Sequence, residues 1–428
     1  MREVMENAFD RKLIFWDNRG MVSEEIQRQS ELGHTERYDP VRTRRLGWVS
    51  FLFGFAGAFP LYIASSYFEE ASGNANVSLF YLGIFSVVFA LLFLLHALLR
   101  RFGASSMFLL LILIALLSQA ALLLSSTSFF GAGFLMLYFV AVTVAWVNLD
   151  IVLENFSEDR RSGRIRSLHL TAMNAGLLLA PFLSTSILDR FGFSGVFLAS
   201  FVLFGFLLLF SLFALYGINF RHDTWVSPIG IVRKAFHRAD VLRIYAISFA
   251  MEFFYAAMIV YTPIRLRDLG MEWNDIGIVF TVMLIPFVAV QYPLGILADK
   301  KTGEKEFLIG SIVLSALSTA VIACIASGSV VVWAVALFVT RLGIASIEVL
   351  RDSYFYKRID GRDADLIAFF RTSGPLANIV AAIVIGIWLV FLPLASVFLL
   401  PALILLLSLV PALFLEDNAS ERERTPSS

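Results

Sequence analysis

Apolar runs of about twenty residues, separated by short polar breaks, recur along most of this chain. A bilayer core of about 30 Å is crossed by roughly 20 residues of helix, so each run has the length of a membrane span. The pattern predicts twelve, near 46–68, 77–99, 105–125, 129–153, 168–187, 194–217, 241–262, 274–298, 306–327, 329–351, 365–389 and 392–415. Breaks as short as Thr127–Ser128 and Ser327–Gly328 predict antiparallel neighbours. The first run begins near Leu46, too far along for a cleaved secretory signal, and reads as a retained span.

Composition agrees with that reading. Of 428 residues, 58% are hydrophobic and 16% charged, whereas soluble chains carry about 45–50% and about 25%. The formal net charge of zero argues against nucleic acid as a partner. The single cysteine, Cys324, excludes a disulfide framework, and the five histidines offer no two-histidine metal spacing. No metal or other cofactor is expected.

The distribution of charge says more than its sum. With the N-terminus inside, 28 Lys and Arg fall in the tails and inner loops and only three, Arg190, Arg265 and Arg267, in the outer ones. That bias predicts an integral, multi-pass protein of the cell (inner) membrane with both termini cytoplasmic. An odd number of spans would put the basic loops of one half outside. Ahead of the first span, Met5, Phe9, Leu13 and Trp16 recur at helical spacing beside Arg11 and Lys12. This is the pattern of a helix lying on the inner leaflet, or of a solvated tail.

The longest inner loop divides the spans six and six. The organisation expected is a tail (1–45), a six-helix bundle (46–217), a linker (218–240), a second bundle (241–415) and a C-terminal tail (416–428). The halves match at an offset of 198: Arg160, Gly163, Arg164, Leu168 and Gly176 meet Arg358, Gly361, Arg362, Leu366 and Gly374. At the same offset Asp150 and Glu154 meet Glu348 and Asp352, and at 200 Arg100 to Gly103 meet Lys300 to Gly303. Two parallel repeats of six helices with a central cavity are one known transporter architecture.

The loop after the eighth span reads Gly295-Ile-Leu-Ala-Asp299-Lys300-Lys301-Thr302-Gly303-Glu304-Lys305. It resembles the loop signature of the major facilitator superfamily, with one extra residue before Gly303 and Glu304 where a basic residue is usual. The first-half copy keeps only Arg100, Arg101 and Gly103. Gly176 to Pro181 in the fifth span is similar to the family's Gly/Pro signature, with Ala180 for the second glycine. The resemblance covers about residues 46–415 and implies an all-α fold of two pseudo-symmetric six-helix bundles, working as a monomer on a small-molecule substrate. It also implies a gating role for Gly295, Asp299, Lys300, Lys301, Gly303 and Lys305, with Lys301 or Lys305 pairing with Glu348 or Asp352. Asp150, Arg100 and Arg101 are the first-half counterparts.

Two charges fall near mid-bilayer, Glu252 in the seventh span and Arg341 in the tenth. Each costs about 2.5–3.5 kcal/mol there without a partner or a wet cavity, so the two are expected to face one another. Glu252 then either couples transport to protons, or the pair binds a charged part of the substrate, or a permanent ion pair holds two helices in register. Tyr255, Gln291, Trp146 and Asn148 are the further candidates for the cavity wall, which suits an amphipathic molecule. The function expected is secondary transport by alternating access. The alternatives are a transport-inactive receptor or scaffold on the same fold, and a membrane-embedded enzyme, for which no G-x-S-x-G or H-E-x-x-H motif is present.

Overall fold

A computed structural model describes residues 40–73, 77–125, 128–154, 162–217, 228–291, 293–294, 304–358 and 364–416. The amphipathic pattern of the N-terminal tail lies outside the described residues. Among those described there is helix and no strand. This follows from the solvent, because a backbone in lipid has to satisfy its own hydrogen bonds.

The helices are α1 (Pro40–Leu61), α2 (Ala64–Ser72), α3 (Ser78–Phe102), α4 (Ala104–Ser125), α5 (Phe129–Glu154), α6 (Ser162–Ala214) and α7 (Pro228–Phe236). Then come α8 (Ala239–Asp268), α9 (Trp273–Ala289), α10 (Lys305–Ile322), α11 (Val330–Arg358), α12 (Ala364–Arg371), α13 (Ser373–Phe391), α14 (Leu399–Leu407) and α15 (Leu409–Leu413). Among the described residues ten stretches are long and apolar enough to cross a membrane, and the 17-residue α9 is a shorter apolar helix.

Local chemistry explains where the spans depart from straight rods. Pro60 lacks the N–H that would continue α1, so the chain turns and restarts as α2. The expected fifth and sixth spans follow one another within α6 as two helices that meet at a non-helical residue, Gly192, with φ 64°. Only glycine takes that conformation readily. The last span is divided at Ser408, whose hydroxyl donates to the Leu405 carbonyl at 2.7 Å.

Large apolar side chains such as Phe129, Phe130, Phe206, Leu209 and Phe391 are exposed around the outside, where lipid is their natural surrounding. Inside, small residues let helices touch. A Cβ on Gly176 would stand 2.4 Å from the Phe51 carbonyl oxygen, and one on Gly54 2.3 Å from that of Met173, so α1 and α6 are in backbone contact. The two halves of the chain meet along two seams, α9 against α6 and α13 against α3.

Candidate functional site

The end of the molecule carrying the basic loops is fastened by ion pairs. At the C-terminal end of α5, Asp150 lies 3.1 Å from Arg371 at the end of α12, joining the halves. On the other side of Asp150, 3.5 Å away, is Nε2 of the buried His169. The Nδ1 of that ring makes a short hydrogen bond to the Ser50 hydroxyl. A polar chain from α1 through α6 and α5 thus reaches α12.

Deeper in the second half, Arg351 of α11 is 4% exposed and gathers the neighbouring charges. Its Nη1 donates to the Ser248 hydroxyl at 2.9 Å and stands 3.6 Å from Glu252 Oε1, while Nη2 is 2.9 Å from Asp352. Ser248 and Glu252 share one face of α8 because they are four residues apart. Ser248 also bonds to Ser373 at 2.8 Å, tying α8 to α13. The Glu252 carboxylate rests against Gly374, where a Cβ would meet Oε2 at 3.5 Å.

This corrects the expected pairing. Glu252 and Arg341 do not form an ion pair; Glu252 takes Arg351, which the charge count assigned to a loop. Residue number fixes depth along a helix but not azimuth against the neighbour. Arg351 follows Arg341 by ten residues, which at about 100° per residue turns it some 80° around α11. The signal that could have found it was local: Arg351 stands three residues after Glu348 and beside Asp352.

Arg341 is 2% exposed, with its guanidinium carbon 4.8 Å from the Phe254 ring centre and 5.6 Å from that of Tyr255. Among the described residues no carboxylate lies within ion-pairing distance, and its buried Nη1 has no hydrogen-bond partner. Gln291 connects three helices: its carbonyl accepts from Asn174 of α6 at 3.3 Å and its amide donates to Glu348 of α11 at 2.9 Å.

The remaining candidates fall elsewhere. Trp146 packs edge-on against Phe53, 6.3 Å between ring centres, in the first-half core. Buried Asn148 donates to the Ala104 carbonyl at 2.9 Å, holding α5 to α4. Arg100 and Arg101 are exposed at the end of α3, where Arg101 covers Phe102 at 5.5 Å. Of the loop signature, Gly295, Asp299, Lys300, Lys301 and Gly303 lie outside the described residues. Lys305 is partly buried at the start of α10 and pairs with neither Glu348 nor Asp352, and Lys301, the alternative partner expected for them, lies outside the described residues. The anchor there is Glu304. It is fully buried, ion-paired to Lys357, and accepts from the Ser353 hydroxyl at 2.9 Å. A carboxylate at that position is a departure from the signature that the end of α11 answers with a lysine.

At the opposite end the described polar contacts between the halves are hydrogen bonds and not ion pairs. Ser78 at the start of α3 and Tyr261 near the end of α8 share a short hydrogen bond across the halves. Asn274 of α9 donates to Asp189 at 2.9 Å, and Tyr62 packs on Phe280 at 5.0 Å. Gly277 of α9 lies so close to α6 that a Cβ would fall 2.0 Å from Thr185 Oγ1.

The repeat is visible in these clusters. At the offset of 198, Ser50 corresponds to Ser248, Asp150 to Glu348 and Gly176 to Gly374. Glu252 corresponds to Gly54, which is why Gly176 meets bare backbone where Gly374 meets a carboxylate.

Residues 244–428 match the family model described as Major Facilitator Superfamily. The solved structure titled "Crystal structure of peptide transporter POT in complex with sulfate" has the same fold, with a TM-score of 0.66 at 14% identity. The similarity covers 88% of this chain and 94% of that one. No curated protein sequence matches.

Proposed function

Because this chain is a major facilitator superfamily protein, a multi-pass membrane transporter by family, we propose that it moves a small molecule by alternating access coupled to protons. In this reading the stretch Thr171–Ala214 counts as two spans divided at Gly192 and α9 as another, giving twelve in bundles 46–217 and 241–415. The basic end faces the cytoplasm.

The observation that carries the reading is the kind of contact that closes each end. Asp150 to Arg371 at one end, and Ser78 to Tyr261 and Asn274 to Asp189 at the other, join the halves through individual polar pairs. Such pairs can break in turn, while the apolar cluster that continues from Phe53 and Tyr81 into Phe253, Tyr261 and Ile385 of the second half has to re-pack. Between them Glu252, Glu348 and Asp352 gather around the buried Arg351. Arg371 lends its field but is held by Asp150. Carboxylates gathered in a place where charge is costly are suited to taking up a proton. Glu348 is the better placed carrier, since its described donor is the neutral Gln291 amide, and Glu252 is the second.

The test is transport in proteoliposomes with an imposed proton gradient, screened over compound classes, in wild type and in Glu348→Gln and Glu252→Gln. Loss of gradient-driven accumulation in either variant, with exchange of substrate retained, supports coupling. Full accumulation and an unchanged pH profile in both variants remove these carboxylates from the mechanism.

A further inference from the structure

Arg341 is the buried charge that the cytoplasmic cluster leaves unused. It sits about 15 Å from Arg351 along α11, at 1.5 Å per residue, and nearer the middle of the span. Its surroundings are aromatic: Phe254 and Tyr255 of α8 at 4.8 and 5.6 Å, with the Tyr62 hydroxyl from the first half of the chain also in its field. Tyr62 in turn packs on Phe280 of α9. The guanidinium therefore stands where elements of both halves meet.

Rings satisfy only part of a guanidinium. They attract the cation through its faces, but the N–H donors lie in its plane, at the edge. At that edge Nη1 is buried with no partner, and no carboxylate among the described residues is within ion-pairing distance. The nearby acids are engaged elsewhere, Glu252 with Arg351 and Glu348 with Gln291. A buried cation without an anion is unfavourable by several kcal/mol, and its edge fits a planar oxyanion through two parallel hydrogen bonds.

We propose that Arg341 is the anchor for an organic carboxylate whose body is apolar or aromatic and packs on Tyr62, Phe254, Tyr255 and Phe280. The inference rests on the transport reading and names the class of its substrate. The carboxylate supplies the anion that the protein withholds from Arg341. Tyr62 and Phe280 come from elements that separate when the halves part, so the site is complete only when the molecule is closed around its ligand.

Equilibrium binding tests this without requiring transport. The probes are benzoate and phenylacetate, against the neutral benzamide and phenylacetamide, on the full chain in nanodiscs, read by thermal unfolding. The acids are expected to raise Tm with concentration and the amides not to. Arg341→Met is expected to melt above wild type without ligand, because a buried unpaired charge is gone, and to lose the response to acids. Arg341→Lys is expected to keep the response at about tenfold weaker affinity, having a point charge in place of a fork. The proposal is overturned if acids and amides act alike, if Arg341→Met still responds, or if Arg341→Met melts below wild type. The two readings separate cleanly. Acids that bind through Arg341 but never exchange across proteoliposomes sink transport alone. Counterflow of neutral compounds that persists in Arg341→Met sinks the carboxylate site alone.

Discussion

Arg371 and Asp150 stand 3.1 Å apart at the basic end of the molecule and belong to opposite halves of the chain. Both side chains are partly shielded, 26% and 16% exposed, so the pair is neither a solvated surface contact nor a sealed one. It is the kind of contact that a moving protein can make and break within thermal reach. On the first-half side it is backed by His169 and Ser50, which fix the position of Asp150.

Removing that pair should bias the protein towards opening at this end. Asp150→Asn or Arg371→Gln is expected to shift the equilibrium about fivefold, equivalent to about 1 kcal/mol for a partly exposed pair. Thiol labelling of Asn174→Cys, in a background where the exposed Cys324 is replaced by Ser, reads the shift. The exchange Asp150→Arg with Arg371→Asp should restore the original rate. Labelling that is the same in all four proteins would mean the pair does not hold the end shut.

Gly277 makes the complementary prediction at the other end. A methyl group there would fall 2.0 Å from Thr185 Oγ1 and 3.3 Å from the Phe182 Cα, forcing α9 away from α6. Gly277→Ala should favour the state open at that end, and Gly277→Ala with Thr185→Ala should reverse most of the effect by removing the obstructing hydroxyl. Labelling at Asn274→Cys measures both. A single variant that closes as readily as wild type would show that the seam has slack.

Arg351 should be the least replaceable side chain in the second half. Arg351→Met leaves Glu252 and Asp352 without their buried cation, a change that costs about 3–5 kcal/mol in comparable sites. A large fall in Tm is expected, with partial recovery when Glu252→Gln is added. Recovery matters more than the fall, since only a charge imbalance is relieved by removing a second charge. No recovery would point to lost packing against Phe370, 5.2 Å from the guanidinium carbon.

The Glu304 anchor is testable in the same way. Lys357→Met takes the ion-pair partner from a fully buried carboxylate that also accepts from the Ser353 hydroxyl. Because Lys357 is itself 37% exposed, the expected cost is discounted to about 2 kcal/mol. Lys357→Met with Glu304→Gln should melt close to wild type. If the double variant is no better than the single one, the pair contributes position but little energy.

The membrane character was legible because it rests on a quantity summed over many residues, the length of each apolar run. Gly176 and Gly374, paired in the sequence at an offset of 198, lie against α1 and α8 respectively. Glu252, Arg341 and Gln291 were found because a polar group deep in an apolar run is conspicuous. The sequence reading missed Arg351 because it stands near a span end, where arginine is ordinary. It missed Ser50, the partners of His169 and the Ser78 to Tyr261 contact because a single polar group in a helix has many ways to be satisfied locally. Glu304 read as a flaw in a signature, and only its burial against Lys357 gave it a role.

Hydrophobic run length and the placement of Lys and Arg determine by themselves that this chain is a helical, multi-pass membrane protein. Those properties depend on the exchange of water for lipid, which every residue in a run contributes to regardless of its partners. Which acid takes which base was decided only by the tertiary structure. Counted from the span ends Glu252 and Arg341 share a depth, yet the packing of α8 on α11 sets Glu252 beside Arg351, about 15 Å along α11 from Arg341, and leaves Arg341 among aromatic rings. Electrostatic partnership falls off within a few ångströms, so the axial offset and the facing of two helices decide it.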